Sequence, residues 1–266
     1  MIANVLSIAG SDPSGGAGIQ ADIKAISANG AFAMAAITGL TAQNTQGVSG
    51  VYLVPPSFVC DQIAAVFADI RVDAVKIGMV ANAEIARSIA DALRSYPDLP
   101  VVLDPVMIAK GGASLLDDDA VATLRDTLLP LATVLTPNLP EAAHLLGASV
   151  ATNRDEMVEQ ATALMGLGPD AILLKGGHLA SDESPDCLVT DVGLCWFDGA
   201  RISTKNTHGT GCTLSSALTA QMAKGKALTD AVVAAKSYVA RAIADADQLS
   251  VGAGHGPTHH FSSFYS

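Results

Sequence analysis

Between Lys205 and Ser215 a polar segment turns into a long run of small residues, and the turn carries Thr207, His208, Gly209, Thr210, Gly211 and Cys212. Gly209 and Gly211 let the backbone turn its amides inward, and a helix starting there adds the positive end of its dipole. A loop of that kind binds an anion. Cys212 stands at its mouth, where a thiolate would be stabilised. An anion site with a candidate base inside it is what phosphoryl transfer requires. Away from those glycines, Cys212 would read as a buried structural thiol, since free cysteines are among the most buried residues.

Further polar residues punctuate the chain. Asp104 precedes a proline at the end of a short apolar run, where it either forms a turn or faces a crevice. Asn138 and Glu141 have the spacing of a capping box. The same two groups suit the neighbourhood of a metal-bound triphosphate, because Mg²⁺ takes a few carboxylates together with waters and phosphates. Lys175 directly follows an apolar run and must find an anion or solvent, and a phosphate contact fits it best. Ser11 to Gly18 has neither the G-x-G-x-x-G nor the G-x-x-x-x-G-K-[S/T] spacing, so it reads as a tight turn before a helix. His255, His259 and His260 read as part of a tail packed on the domain in preference to a metal site.

Positioning these residues falls to an alternation of short apolar runs and longer helical stretches. The pattern predicts a strand over 5–9, ended by Gly10, and then a helix carrying Ile19, Ile23 and Ile26. Extended segments over 31–40 and 48–54 follow without a helix between them, and they predict a flap or a small accessory sheet. Beyond Pro56, helices are expected over 57–70, 82–94 and 119–128, after Asn138, and near Thr152. Strands are expected over 74–77, 101–103, 133–135 and 171–174, with an antiparallel pair near 187–189 and 194–197. Two long helices, over 211–224 and 229–247, close the fold. This order implies one α/β domain over 1–266, with a mostly parallel central sheet, helices on both faces and a small β flap. Ligands of such sheets sit at the C-terminal ends of strands, and here those ends carry Gly10, Gly78, Asp104, Asn138 and Lys175. The loop over 109–116, with Gly111 and Gly112, has the composition of a mobile lid.

Composition narrows the function classes. The chain has 266 residues, half of them hydrophobic, which suits a single large core. A net charge of −11, with its lysines and arginines scattered, argues against nucleic acid and anionic membranes as partners. Each apolar run is interrupted before it could span a bilayer. Met1 to Gly10 has no basic start and no cleavage pattern, so it reads as a strand and not a signal peptide. Four cysteines without a C-x-x-C pair suggest reduced thiols and a cytoplasmic protein.

Taken in order, Gly10-Ser11-Asp12-Pro13-Ser14-Gly15-Gly16-Ala17-Gly18-Ile19-Gln20-Ala21-Asp22, Ala42-Gln43-Asn44-Thr45-Gln46-Gly47-Val48, Lys76-Ile77-Gly78-Met79 and Thr136-Pro137-Asn138-Leu139-Pro140-Glu141-Ala142 resemble the hydroxymethylpyrimidine kinase/phosphomethylpyrimidine kinase family of thiamine biosynthesis. The likeness continues through Lys175-Gly176-Gly177-His178, Asn206 to Thr213 and the Gly-Pro-x-His-His tail, across essentially the whole chain. The resemblance implies a ribokinase-like fold, ATP and Mg²⁺ as cofactors, and a homodimer. It also implies that Gln43 bonds a pyrimidine ring, with Gly10, Asp22, Met79 and Val106 lining the same pocket. Asp104 and Glu141 would act through Mg²⁺ and its waters, with Asn138 beside them, and Lys175 would neutralise phosphates. The Gly209, Thr210, Gly211 and Cys212 amides would hold the transferring group. Many relatives in the wider superfamily carry aspartate where Cys212 stands; a cysteine there matches the pyrimidine kinase branch and also certain pyridoxal kinases, which remain an alternative. A catalytically silent pyrimidine-binding protein is another, but it predicts erosion of Asp104, Glu141, Lys175 and Cys212, all of which are present.

Overall fold

The computed structural model describes residues 1–107 and 118–265, so the expected lid over 109–116 lies outside the described residues. The chain opens with β1 (Asn4–Ala9), α1 (Gly18–Ala28), β2 (Phe32–Ile37), β3 (Gly39–Asn44) and β4 (Gly47–Leu53). It continues through α2 (Pro56–Asp69), β5 (Ala74–Ile77), α3 (Ala83–Leu93), β6 (Val101–Leu103) and α4 (Asp118–Thr127). Next come β7 (Val134–Leu135), α5 (Leu139–Leu146), α6 (Arg154–Met165) and β8 (Ala171–Lys175). The last elements are β9 (Asp186–Thr190), β10 (Gly193–Phe197), α7 (Thr210–Ala223) and α8 (Leu228–Ala244).

The main sheet runs β10-β9-β8-β7-β6-β5-β1-β2, and its pairs from β8 to β2 are parallel. The antiparallel pair expected near the end of the sheet is β9 with β10, and β9 also runs antiparallel to β8. The expectation for 31–54 needs correcting. Phe32–Ile37 is not part of a flap but the edge strand of the main sheet, paired with β1 from Asn4↔Phe32 to Ala9↔Ile37. Its alternating exposure fits an edge strand covered on one side. Only β3 and β4 form the small separate sheet, an antiparallel hairpin. In α1, Ile19 and Ile26 are buried but Ile23 is 39% exposed, and Ala21 and Ala25 complete the inner face.

Strand periodicity sorts the core into two layers. Leu6 and Ile8 of β1, Val75 and Ile77 of β5, and Ile172 and Leu174 of β8 pack with residues of α2–α6 on one face. Val102, Leu173 and Ala171 pack with α7 and α8 on the other. By the same alternation Ser7 of β1 and Lys76 of β5 point to the α1–α7 side, where polar groups in a fully covered sheet must find partners. Helix starts follow local chemistry: Asn82, Asn138 and Asn153 each accept the backbone N–H of the third helical residue. Strand order reverses between β1 and β5, which opens a crevice beyond their C-terminal ends.

Candidate active site

The loop before α7 is folded as its glycines suggest. Gly209 is the N-cap of α7 with φ +75°, and a Cβ there would lie 1.8 Å from the Gly16 carbonyl oxygen. Gly211 serves a different purpose. A Cβ on it would point at Lys175 Nζ, 3.4 Å away, and Asp104 Oδ2, 3.6 Å away. Its missing side chain therefore leaves a gap between the positive end of α7 and a charged pair on the opposite wall. Thr210, also at that wall, donates its hydroxyl to the Thr207 carbonyl at 2.8 Å. Cys212 lies in the first turn of α7, and burial pushes its thiol up to about 11. The Lys76 charge and the Gly18 backbone N–H work against that rise, and Asp22 and Asp104 add to it. Of the opposing influences on this thiol, burial prevails.

Opposite the helix, Asp104 and Lys175 pair at 2.9 Å, with side chains 2% and 13% exposed. Thr136 and Ser215 place hydroxyls 3.3 and 3.4 Å from the Asp104 carboxylate. Burial alone would raise the Asp104 carboxyl, but the Lys175 and Lys76 charges outweigh it and hold it below the usual range. Asn138 and Glu141 make the capping box in full: Glu141 N donates to Asn138 Oδ1, and Asn138 N to Glu141 Oε2, each at 2.8 Å. Both also line the cavity. Burial lifts the Glu141 carboxyl to about 7, with Asp104 adding to the shift and Lys175 opposing it. Among the described residues no three His, Cys, Asp or Glu side chains converge as a metal cage. Two carboxylates on one wall suit Mg²⁺ that keeps waters and phosphate oxygens.

Beneath the cavity floor lies a group that sequence reasoning missed. Lys76 and Asp22 are fully buried and pair at 2.9 Å. Asp22 also accepts the Ser7 hydroxyl at 2.6 Å and the Ser216 hydroxyl at 2.7 Å. Asp22, expected on the pocket wall, instead sits one layer below it and anchors Lys76, which does reach the cavity. The signal was legible in Ala74-Val75-Lys76-Ile77: a lysine inside a buried strand demands an acid.

Gly10, Gln43, Met79 and Val106 all line the cavity, which encloses about 980 Å³. Asp12 and His208, also overlooked in the sequence, join the first loop to the anion loop through a 2.8 Å contact. Asp12 also takes the backbone N–H groups of Ser14, Gly16 and Ala17, so the Ser11–Gly18 segment is the tight turn expected of it. The cavity lining also includes apolar Ile202, Leu214, Val239, Ala240 and Ile243. The histidine tail packs on the domain: Thr213 Oγ1 lies 3.0 Å from His260 Nε2, and burial lowers the His260 ring to about 3.

The family model described as phosphomethylpyrimidine kinase matches residues 12–259. The hydroxymethylpyrimidine/phosphomethylpyrimidine kinase of Escherichia coli strain K12 is 52% identical over 262 residues, covering 98% of each chain. The solved phosphomethylpyrimidine kinase of Clostridium difficile 630 is 43% identical and superposes with a TM-score of 0.81 over 91% of this chain and 99% of its own. An ADP complex of Bacillus subtilis pyridoxal kinase superposes over the whole of both chains with a TM-score of 0.91 at 33% identity.

Proposed function

This chain belongs to the phosphomethylpyrimidine kinase family, and from that premise we propose that it phosphorylates 4-amino-5-hydroxymethyl-2-methylpyrimidine with Mg-ATP and then converts the monophosphate to the diphosphate in thiamine biosynthesis. It is a kinase of the ribokinase-like α/β fold. The observation that carries the reading is the gap kept open by Gly211, with the N-terminus of α7 on one side and the Asp104–Lys175 pair on the other. We read the whole chain as one catalytic unit, in the cytoplasm, with its four cysteines free.

We assign the transferring phosphoryl group to that gap, where the Gly209–Cys212 amides and Lys175 neutralise its charge. Asp104, Glu141 and Asn138 would hold Mg²⁺ through its waters and the triphosphate, and the metal would supply further charge neutralisation there. Apolar lining residues such as Ile202 and Val239 suit the flat face of adenine, and Gln43, Gly10, Met79 and Val106 suit the pyrimidine. In its thiolate form Cys212 would orient the acceptor hydroxyl and take its proton as the acceptor oxygen bonds to the γ-phosphorus and the bond to departing ADP breaks. The second transfer brings a doubly charged acceptor into the same gap, so Lys175 and the amides matter more for that step. Exposed Leu40, Val51, Tyr52 and Leu53 on the hairpin would form the contact of a homodimer.

Pyridoxal is the rival acceptor, because the cysteine and the likeness to a pyridoxal kinase fold accommodate it. Fold likeness alone does not choose between heterocycles. ATP consumption by purified protein with Mg²⁺, offered hydroxymethylpyrimidine, its monophosphate and pyridoxal in parallel, makes the choice. Turnover of both pyrimidines is expected. Pyridoxal turnover without the monophosphate reaction would overturn the assignment.

A further inference from the structure

The chain leaves β8 at Lys175 and enters β9 at Asp186, two residues paired across the sheet, so the loop over 176–185 is closed at its base. Gly176 N donates to Asp186 Oδ1 at 3.0 Å, and Lys236 Nζ to the Ser184 carbonyl at 2.9 Å, which locks that base further. The outer part of the loop is fastened differently. Arg201, beyond β10, donates from Nε to the Ser181 carbonyl at 2.8 Å and from Nη1 to the Gly177 carbonyl at 2.9 Å. Its Nη2 donates to the Leu179 and Glu183 carbonyls at 2.7 and 3.3 Å. Every second residue from 177 to 183 therefore turns its carbonyl oxygen toward one guanidinium. The Arg201 backbone N–H adds a bond to the Asp182 carbonyl at 2.9 Å.

This ring of carbonyls stands on the cavity wall. Gly177, His178 and Ser184 of the loop line the cavity, as do Arg201 and Ile202. The loop starts beside Lys175, read above as a phosphate contact, and Arg201 adjoins Ile202, read as an adenine contact. The guanidinium thus joins the two stretches of chain that would face the two ends of one nucleotide. A guanidinium has five N–H groups, and the loop carbonyls take four of them. We propose that Arg201 is a positioning residue for the phosphate donor: it holds the loop over 177–183 in the shape that receives an adenine nucleotide, and leaves charge neutralisation to Lys175 and the glycine amides. This rests on the function proposed above. Without the guanidinium, four carbonyl dipoles converge on one another, and an exposed loop relieves that by turning them out to water. The loss should fall on the nucleotide and not on the pyrimidine. It should also be blind to the number of phosphates.

The test is calorimetric binding of adenosine, ADP, a non-hydrolysable ATP analogue and the aminopyrimidine to wild type and Arg201→Ala. All three adenine ligands should weaken alike, by about tenfold, with the aminopyrimidine changed less than about twofold. In turnover, KM for ATP should rise by about the same tenfold while kcat at saturating ATP stays within about twofold. Guanidinium chloride at about 10 mM, far below the molar range that unfolds proteins, should restore most of the nucleotide affinity, and potassium chloride should not. Unchanged nucleotide affinity would overturn the proposal, as would equal weakening of the aminopyrimidine or rescue by potassium chloride alike. A loss that grows from adenosine to the ATP analogue would also overturn it, by making Arg201 a phosphate ligand. Should Arg201→Ala fail to fold, Arg201→Lys keeps the charge but cannot span the ring, and wild-type nucleotide affinity there would overturn the proposal. Wild-type protein that binds no adenine nucleotide would bring down the function itself, and the proposal with it.

Discussion

Lys76 and Cys212 act on each other across the cavity floor. Burial opposes the Lys76 charge, but the fields of Asp22, Cys212 and Asp104 overcome it and hold the ammonium above the ordinary lysine value. Removing the lysine alone strands a buried carboxylate, so Lys76→Met should cost about 3–5 kcal/mol in urea unfolding. Adding Asp22→Asn should return much of that stability, since one of the two serine hydroxyls, Ser7 on Oδ2 or Ser216 on Oδ1, can still donate to the amide oxygen while the other accepts from the amide nitrogen. It should not return the influence on sulfur: the thiol of the double variant should titrate higher than the wild-type value of about 11. Alkylation of Cys212 by iodoacetamide, followed on its peptide by mass spectrometry, reads this directly. In unliganded wild type the rate should climb about tenfold per pH unit from 7 to 10, because the thiolate is the nucleophile. If proton removal by that thiolate limits turnover, kcat should climb over the same range. A flat profile, or Cys212→Ala with nearly full turnover, would reduce the cysteine to a spacer.

Among the elements, α7 carries the site, and its first turn has little tolerance. Gly209→Ala would place a methyl group inside the Gly16 carbonyl at a positive φ. It should lower stability by about 2 kcal/mol or more and turnover by a larger factor. Asn138→Ala removes one half of a capping box on α5 and should cost about 1 kcal/mol in thermal or urea unfolding. The strands that reach the crevice were plain in the sequence because each is a short apolar run closed by a glycine, an aspartate or a proline. Asp104, Lys175 and the anion loop were plain for the same reason: polar residues stand out at strand ends. Phe32–Ile37 was misplaced because an edge strand and a flap share the same alternation, and only pairing with β1 tells them apart. Asp22 was misplaced because its burial depends on Lys76 and Ser216, and their sequence separations of 54 and 194 residues leave no local trace of either contact.

At the scale of the molecule, the first loop, the hairpin, the anion loop and the tail are fastened to one another. Asp12 is central to that. Burial favours its neutral form, but bonds from His208, Ser14 and Ala17 win and hold it at about 2, against an ordinary 3.8. A carboxyl lowered in the folded state stabilises above its unfolded value. Roughly 2 kcal/mol should therefore be present above pH 4 and be lost as the pH falls toward 2. Denaturant unfolding across that range should show the loss, and Asp12→Asn should flatten it. The tail completes the fastening: His255 N donates to the Thr45 carbonyl at 2.9 Å, Gly256 N to Asn206 Oδ1 at 3.1 Å, and His208 N to the Gly256 carbonyl at 3.0 Å. A ribosome makes residues 254–260 after every segment they tie together. The sheet and its helices can assemble on the emerging chain while the glycine loop before α7 still lacks its last holds. Catalytic competence should therefore wait on synthesis of residues 254–260, and a nascent chain stalled before residue 254 should be folded in outline and inactive.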